Sequence, residues 1–449
     1  MIFGLVLLLY GPNGSFFLYW VKNSIIIVLR YDIGGYSMLS DVRRFDMDKA
    51  PQRQHLRHLI RLLSQSDLSK HKNTLTKINM EGIKPPYLLL CNHNAFMDFK
   101  VASKAVYPNH ANFVVAIDGF LKREWLLRFI GCICKRKFTS EITLLRHLKT
   151  VIKRGDIAAI YPEARYSLCG TNAVLPNSFG KLAKMLGVPV VVLICHGHHI
   201  NSPFWNLPDH NIKGTTATMT CIANQEEIRE KSDEELTKLI EDAFVYDDYK
   251  WQKENNIVCT YKDRASGLHK VLYQCPNCKH EYHMSSSGTT LRCNDCGKEW
   301  EMTELGELKA KEGVTEFSHI PDWYEWERTN VRKEIDDGTY HFTCRARVDA
   351  LPNPKKYIDI GMATFTHDMN GFHLSGNALG EDYSMDWAPI SLYSCHIEYE
   401  YLGKYGDCVD LNTRNDTLYI YPKDCDFSVT KISLATEELY KKAFAESRR

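Results

Sequence analysis

The chain has 449 residues, 44% of them hydrophobic and 25% charged. At about 150 residues per domain this length suggests three domains, and the composition excludes a disordered chain. A formal net charge of +1 supplies no global field for nucleic acid or an anionic membrane, so any attraction to phosphate must be local. The fifteen cysteines are odd in number and lack framework spacing outside two C-x-x-C pairs. That usage fits a reducing compartment better than a secreted disulfide scaffold.

Residues 1–10 and 16–29 are largely apolar and flank the turn Gly11-Pro12-Asn13-Gly14. Neither run reaches the ~20 apolar residues that span a bilayer, and no basic stretch precedes the first. Residues 1–45 are therefore expected to associate with a membrane without crossing it, with Phe16, Phe17, Tyr19 and Trp20 at the interface. A pair of buried core segments is the alternative. Residues 49–71 carry Leu56, Ile60, Leu63 and Leu68 among basic residues, the pattern of an amphipathic helix. Short apolar strands follow at 87–91, 111–116, 157–161 and 188–195, with helices at 141–153 and 178–186 between them. This alternation indicates an α/β layer with a mostly parallel sheet. Ser232 to Glu235 form a capping box that opens a helix expected to run to about Asn255.

The first strand runs into Asn92-His93-Asn94-Ala95-Phe96-Met97-Asp98. A neutral imidazole is a good proton acceptor near pH 7, and a carboxylate on its far nitrogen fixes the tautomer. An alcohol needs such a base to attack a carbonyl, and the alcohol can be the substrate's own. Taken alone, this spacing more often marks a helix-capping histidine with a surface aspartate. The downstream segments change that weighing: Gly131-Cys-Ile-Cys-Lys-Arg136-Lys137, then Tyr161-Pro-Glu163-Ala-Arg165-Tyr-Ser167, then Val188-Pro-Val-Val-Val192.

In these four blocks the chain resembles the glycerolipid acyltransferase family that includes lysophosphatidate acyltransferases. The first block matches N-H-x-x-x-x-D fully. The second is one residue short. The third departs from F-P-E-G-T-R-S, with its arginine one position early, and the fourth lacks its second proline. The resemblance covers roughly residues 75–225. It implies His93 as catalytic base, Asp98 as its partner, and Arg136, Glu163 and Arg165 as acceptor-headgroup residues. Arginine suits phosphate because its planar fork donates two hydrogen bonds. The resemblance also implies an acyl-CoA or acyl-carrier protein donor and a lysophospholipid acceptor, 1-acylglycerol-3-phosphate above all.

Cys195-His196-Gly197-His198-His199 follows the fourth block. Three imidazoles at a strand end could bind zinc, but they read better as polar residues flanking the site. Cys275, Cys278, Cys293 and Cys296 form two C-x-x-C pairs fourteen residues apart. Four thiolates close a tetrahedral structural zinc site, so one Zn2+ in a zinc ribbon is expected, with His280 and His283 as spare ligands. The few basic residues nearby, Lys279, Arg292 and Lys298, argue against nucleic acid. From about 315, strands at 340–348, 357–366, 397–402 and 417–421 alternate with Gly, Asn and Asp turns. Asn370-Gly371 signals a hairpin, and a helix at 434–445 ends the chain. This order resembles a pleckstrin-homology-like barrel, with Trp323, Trp326 and Trp387 in its core.

The expected fold class is thus α/β: a layered acyltransferase domain with a mostly parallel sheet (46–262), a zinc ribbon (263–312) and a β-rich domain with a terminal helix (313–449). The expected function is lysophospholipid O-acylation on the cytoplasmic face of a membrane. The rivals are a non-catalytic binding or regulatory protein with a degenerate core, and a metal-dependent hydrolase built on His196, His198 and His199.

Overall fold

The computed structural model describes residues 8–10, 16–18, 39, 42–139, 142–378 and 380–447. Strands β1 (Leu8–Tyr10) and β2 (Phe16–Leu18) pair antiparallel. The rest of the expected membrane-associating segment up to residue 38 lies outside the described residues. No described helix is long and apolar enough to cross a membrane.

The first sheet holds β3 (Thr74–Ile78), β4 (Leu88–Cys91), β5 (Ala111–Ala116), β6 (Ile133–Lys135), β7 (Ile157–Ile160), β8 (Val190–His196) and β9 (Thr216–Ala223). Their order is β3-β9-β8-β4-β7-β5-β6, and every neighbouring pair is parallel except β8 with β9. The middle strands read as continuous apolar runs because helices cover both faces. Alternate residues build two separate cores. Leu89, Cys91, Val191 and Leu193 pack with the helix Met97–Val106, through Val101, Ala102 and Ala105. Leu88, Leu90, Val190 and Val192 pack on the other side with Leu148 and Val151 of the helix Ile142–Lys153 and Phe179 and Ala183 of the helix Phe179–Leu186. Register sets Leu90 beside Ile160 and Cys91 beside Leu193, so the loops after β4, β7 and β8 emerge together. Ligand sites in open α/β sheets lie at such strand ends.

The second sheet is antiparallel: β10 (Met284–Ser287), β11 (Thr290–Cys293), β12 (Glu299–Met302) and β13 (Leu308–Ala310). A helix, Ile320–Asp336, follows where only strands were expected. The third sheet holds β14 (His341–Ala350), β15 (Ile358–Asp368), β16 (Gly371–Ala378), β17 (Glu381–Trp387), β18 (His396–Glu398), β19 (Cys408–Asn412) and β20 (Thr417–Lys423). Its order is β17-β16-β15-β14-β20-β19-β18, and all its pairs are antiparallel. The helix Val429–Ser447 closes the chain.

These later parts are not loosely tethered. One continuous core runs from Trp300 through Trp323 and Leu434 to Val348 and Ile420. It also takes in Leu168, Cys169, Ile200 and Phe204 from the loops after β7 and β8. Trp323 and Trp387 are buried in it, whereas Trp326 is partly exposed with Lys279 over its ring. The helix begun by the Ser232 capping box stops at Ala243, and a second, Asp248–Glu254, starts after Asp247 accepts the Lys250 amide.

Candidate active site

The loop after β4 folds back on itself around Asp98. This carboxylate is fully buried, and its Oδ2 accepts the backbone N–H groups of Asn94 and Ala95 at 2.5 and 2.9 Å. The same oxygen lies 3.4 Å from Nδ1 of His93. Oδ1 faces Nδ1 of His198 at 2.5 Å. Burial works to raise this carboxyl, but the hydrogen bonds of His198 and His93 outweigh it and hold it down to about 2. Asp98 is therefore an anion throughout the neutral range.

His93 keeps 22% of its side chain exposed. Its ring stacks on Tyr161 at 4.2 Å and leans on Tyr166 at 4.3 Å. Its backbone N–H donates to Glu163 Oε2 at 2.7 Å, and its carbonyl accepts the Ser167 N–H at 2.8 Å. The loop after β7 thus holds the histidine from three sides. Asn92 ties the same turn to β8, since its side chain donates to the Cys195 carbonyl and accepts the Cys195 N–H.

Glu163 is buried and anchors this loop. Its Oε1 accepts the Ala173 N–H at 2.8 Å and lies 3.1 Å from the Tyr246 hydroxyl, which also lies 3.1 Å from Asn94 Oδ1. Burial pushes its carboxyl up to about 7, against the Ala173 and His93 amides that favour the ionised form. Ala164, next in the chain, has φ +55°, in the left-handed region that disfavours a Cβ.

The two arginines go elsewhere. Arg136 is buried and donates to the carbonyls of Leu351, Pro352 and Asn415 and to the Thr417 hydroxyl. Arg165 donates to Ser433 Oγ and Glu437 Oε1 of the terminal helix, and Arg328 takes the other Glu437 oxygen. Lys137 pairs with Asp118 and Asp410. The structure brings His93, Asp98 and Glu163 together, and it seats Arg136 and Arg165 in the contact with the C-terminal sheet and helix.

Sequence reasoning missed a second histidine–aspartate pair. His196 Nδ1 lies 3.2 Å from Asp248 Oδ1, again with a 22% exposed imidazole on a buried carboxylate. Asp248 Oδ2 also accepts the backbone N–H groups of Gly197 and His199. His199 is buried, and desolvation pushes its imidazole down to about 4, so it stays neutral. His196 and His198 turn to different carboxylates, both ring nitrogens of His199 lack a hydrogen-bond partner among the described residues, and the three do not converge as one ligand set.

Cys275, Cys278, Cys293 and Cys296 do converge, with all four sulfurs within 4.8 Å of one another. The Cys275–Cys296 and Cys278–Cys293 sulfurs stand 3.8 and 3.6 Å apart. Four thiolates ~2.3 Å from one tetrahedral ion would stand ~3.8 Å apart, so the cluster fits zinc. The Lys279 and Gly297 amides close each knuckle on the Cys275 and Cys293 carbonyls. His280 and His283 turn instead to Asp295.

Residues 68–196 match the family model described as Acyltransferase. This region is similar to the acyltransferase family. It contains the His93 turn and the Glu163 loop, and it ends on His196. The chain is also similar to a crystal structure of the 1-acyl-sn-glycerophosphate (LPA) acyltransferase PlsC from Thermotoga maritima, at 17% identity and a TM-score of 0.34. That match covers 42% of this chain and 77% of the other. No curated protein matches the chain.

Proposed function

We propose that the acyltransferase-like region moves a fatty acyl group from a thioester, acyl-CoA or acyl-carrier protein, to a hydroxyl of a lysophospholipid. The observation that carries this reading is a partly exposed imidazole with Nδ1 turned to a buried, ionised carboxylate, in a region similar to this family. With its proton on Nδ1, His93 presents a lone pair at Nε2. That atom takes the acceptor's hydroxyl proton as the oxygen attacks the thioester carbonyl. The C–S bond then breaks, and the imidazolium returns its proton to the leaving thiolate. Asp98 stabilises the imidazolium while it exists. The 3.4 Å contact is long for a hydrogen bond, and such contacts often tighten only around bound substrate.

The motif blocks imply 1-acylglycerol-3-phosphate as acceptor, with Arg136, Glu163 and Arg165 about its headgroup. A phosphate reaches either guanidinium only where the C-terminal part gives up the contacts of Leu351, Asn415 or Glu437. That commitment is also what favours a second reading, a regulatory protein with a degenerate core. Mass-spectrometric screening of lysolipid acceptors with acyl-CoA separates the two. A diacyl product that depends on the enzyme supports acyl transfer, and none from any lysolipid class supports the second reading.

We place the protein on a membrane surface. Exposed Leu59, Leu62 and Leu63 of the helix Arg57–Lys70 alternate with Arg57 and Arg61. His55 links that helix to Phe129 by a 4.5 Å ring stack, and a groove of about 840 Å³ there is lined by Trp125, Phe129, Lys122 and Lys355. Apolar side chains rimmed by cations suit anionic headgroups above an acyl boundary. Leu62→Glu with Trp125→Glu should release the protein from vesicles containing phosphatidylserine in a sedimentation assay. The cysteine cluster takes one structural zinc per chain, measurable by elemental analysis and lost in Cys293→Ser. The seven antiparallel strands with a closing helix support the pleckstrin-homology-like reading of the C-terminal part.

A further inference from the structure

Asp98 has two histidine partners, and the closer is not the proposed base. The His198 contact is 2.5 Å, against 3.4 Å for His93. Helix Met97–Val106 and the short helix that follows strand β8 meet here, across 100 positions of the chain.

His198 is held where it is by several independent contacts. It opens the short helix His198–Asn201 after Gly197, whose φ is +86° and where an added Cβ would meet the Trp251 ring at 2.8 Å. Asp248 grips the amides on either side of it. The side chain is 1% exposed, and its Nε2 has no hydrogen-bond partner among the described residues. Its Nδ1 therefore carries a proton toward an anionic carboxylate, and one nitrogen is left buried and unsatisfied. A buried nitrogen left without a partner costs free energy that an apolar filler would not.

A shared metal does not explain the pair. Asp98, Cys195 and His198 present atoms within 4.8 Å of one another. Two ligands ~2.0 Å from a tetrahedral ion would stand ~3.3 Å apart, whereas 2.5 Å is a direct hydrogen bond. Burial also keeps the Cys195 thiol protonated, far from a thiolate ligand.

We infer that His198 is a positioning residue of the acyl-transfer site: its Nδ1–H fills Asp98 Oδ1, leaving Oδ2 ionised and fixed as the partner of His93. The inference rests on the proposed base role of His93. Oδ2 already accepts two backbone amides, so Oδ1 is the oxygen free to take a proton when its donor is lost. A neutral Asp98 no longer stabilises the imidazolium that forms when His93 takes the hydroxyl proton. The loss then falls on the chemical step, and most heavily at acid pH, where a desolvated carboxyl protonates first.

The test measures acyl-CoA turnover with a lysolipid acceptor from pH 5 to 9 in the full chain. Wild type and His93→Ala come first, and undiminished turnover in His93→Ala ends the base reading whatever His198 does. Given an active wild type and an inactive His93→Ala, His198→Leu should lower kcat ~10–100-fold, the scale seen when a hydrogen-bond partner of a metal-ligating side chain is removed. KM should stay the same, and the acid limb should move to higher pH. His198→Asn, whose amide N–H replaces Nδ1–H, should recover most of the rate and the original limb. His198→Gln reaches too far and should not. An unchanged pH profile in His198→Leu overturns the inference. If His198→Leu does not fold, the Asn and Gln variants carry the test, and equal rates in those two overturn it.

Discussion

His93 with Asp98 and His196 with Asp248 stand at the ends of neighbouring strands, each with a partly exposed imidazole against a buried carboxylate. Their separations, 3.4 and 3.2 Å, do not distinguish them. Their surroundings do. Asp98 closes the turn that carries His93 itself, and His198 gives it a second imidazole. His93 lies between Tyr161 and Tyr166, with its backbone fixed by Glu163 and Ser167. Asp248 instead caps the amides of Gly197 and His199, and His196 stacks flat on Trp251. A histidine–aspartate contact is common in protein structures. What marks a base is the number of independent groups spent on holding it.

The largest difference between the pairs should appear on removing the carboxylate charge. Asp98→Asn should lower turnover ~10³–10⁴-fold, because an amide leaves the imidazole in the wrong tautomer and its positive charge uncompensated. Asp248→Asn should change turnover only a few-fold while lowering the melting temperature. Equal losses in the two variants would erase the distinction.

The next effect concerns the loop that flanks His93. Glu437 sits between Arg165 and Arg328 with no exposure of its side chain. Breaking a buried ion pair by deleting one partner costs about 3–5 kcal/mol, so Glu437→Ala should show that loss in urea unfolding. Should a phosphate acceptor compete for Arg165, the same variant should also lower KM for 1-acylglycerol-3-phosphate relative to a zwitterionic lysolipid. A loss below about 1 kcal/mol would mean that the C-terminal helix does not brace the site.

A smaller effect comes from Glu163. Between its usual 4.5 and about 7 the folded protein holds a proton that the unfolded chain releases. Stability therefore falls as pH rises through that window and levels off above it, by on the order of 3 kcal/mol at most. Glu163→Gln should remove this slope without abolishing turnover. Melting temperatures at pH 5 and 8 check it, and parallel slopes in the two proteins would contradict it.

The His93 turn was legible in the sequence because its parts are local. Five positions separate base and carboxylate, and a strand precedes them. The cysteine quartet was legible for the same reason, as were β4, β5, β7 and β8 through their apolar runs. The destinations of the arginines were not. Arg165 meets Glu437 across 272 positions and Arg136 meets Asn415 across 279, and no local pattern encodes such pairings. His198 stands out in the sequence only as one of three clustered imidazoles, since its partner Asp98 lies 100 positions away in the helix Met97–Val106. The helix Ile320–Asp336 does carry a local signal: Ile320, Trp323, Tyr324, Glu327, Val331 and Ile335 are its buried face at helical spacing. Ala164 departs from the glycine of the family block, yet it keeps the left-handed backbone a glycine would adopt there.

The central claim is that one imidazole, backed by Asp98, draws the proton from an acceptor hydroxyl. The most direct measurement is free-thiol release from acyl-CoA in the presence of a lysolipid by wild type, His93→Ala and His196→Ala, all shown to be folded by circular dichroism. Release that vanishes in His93→Ala and persists within a few-fold in His196→Ala is the expected result. Release that survives in His93→Ala would contradict the account.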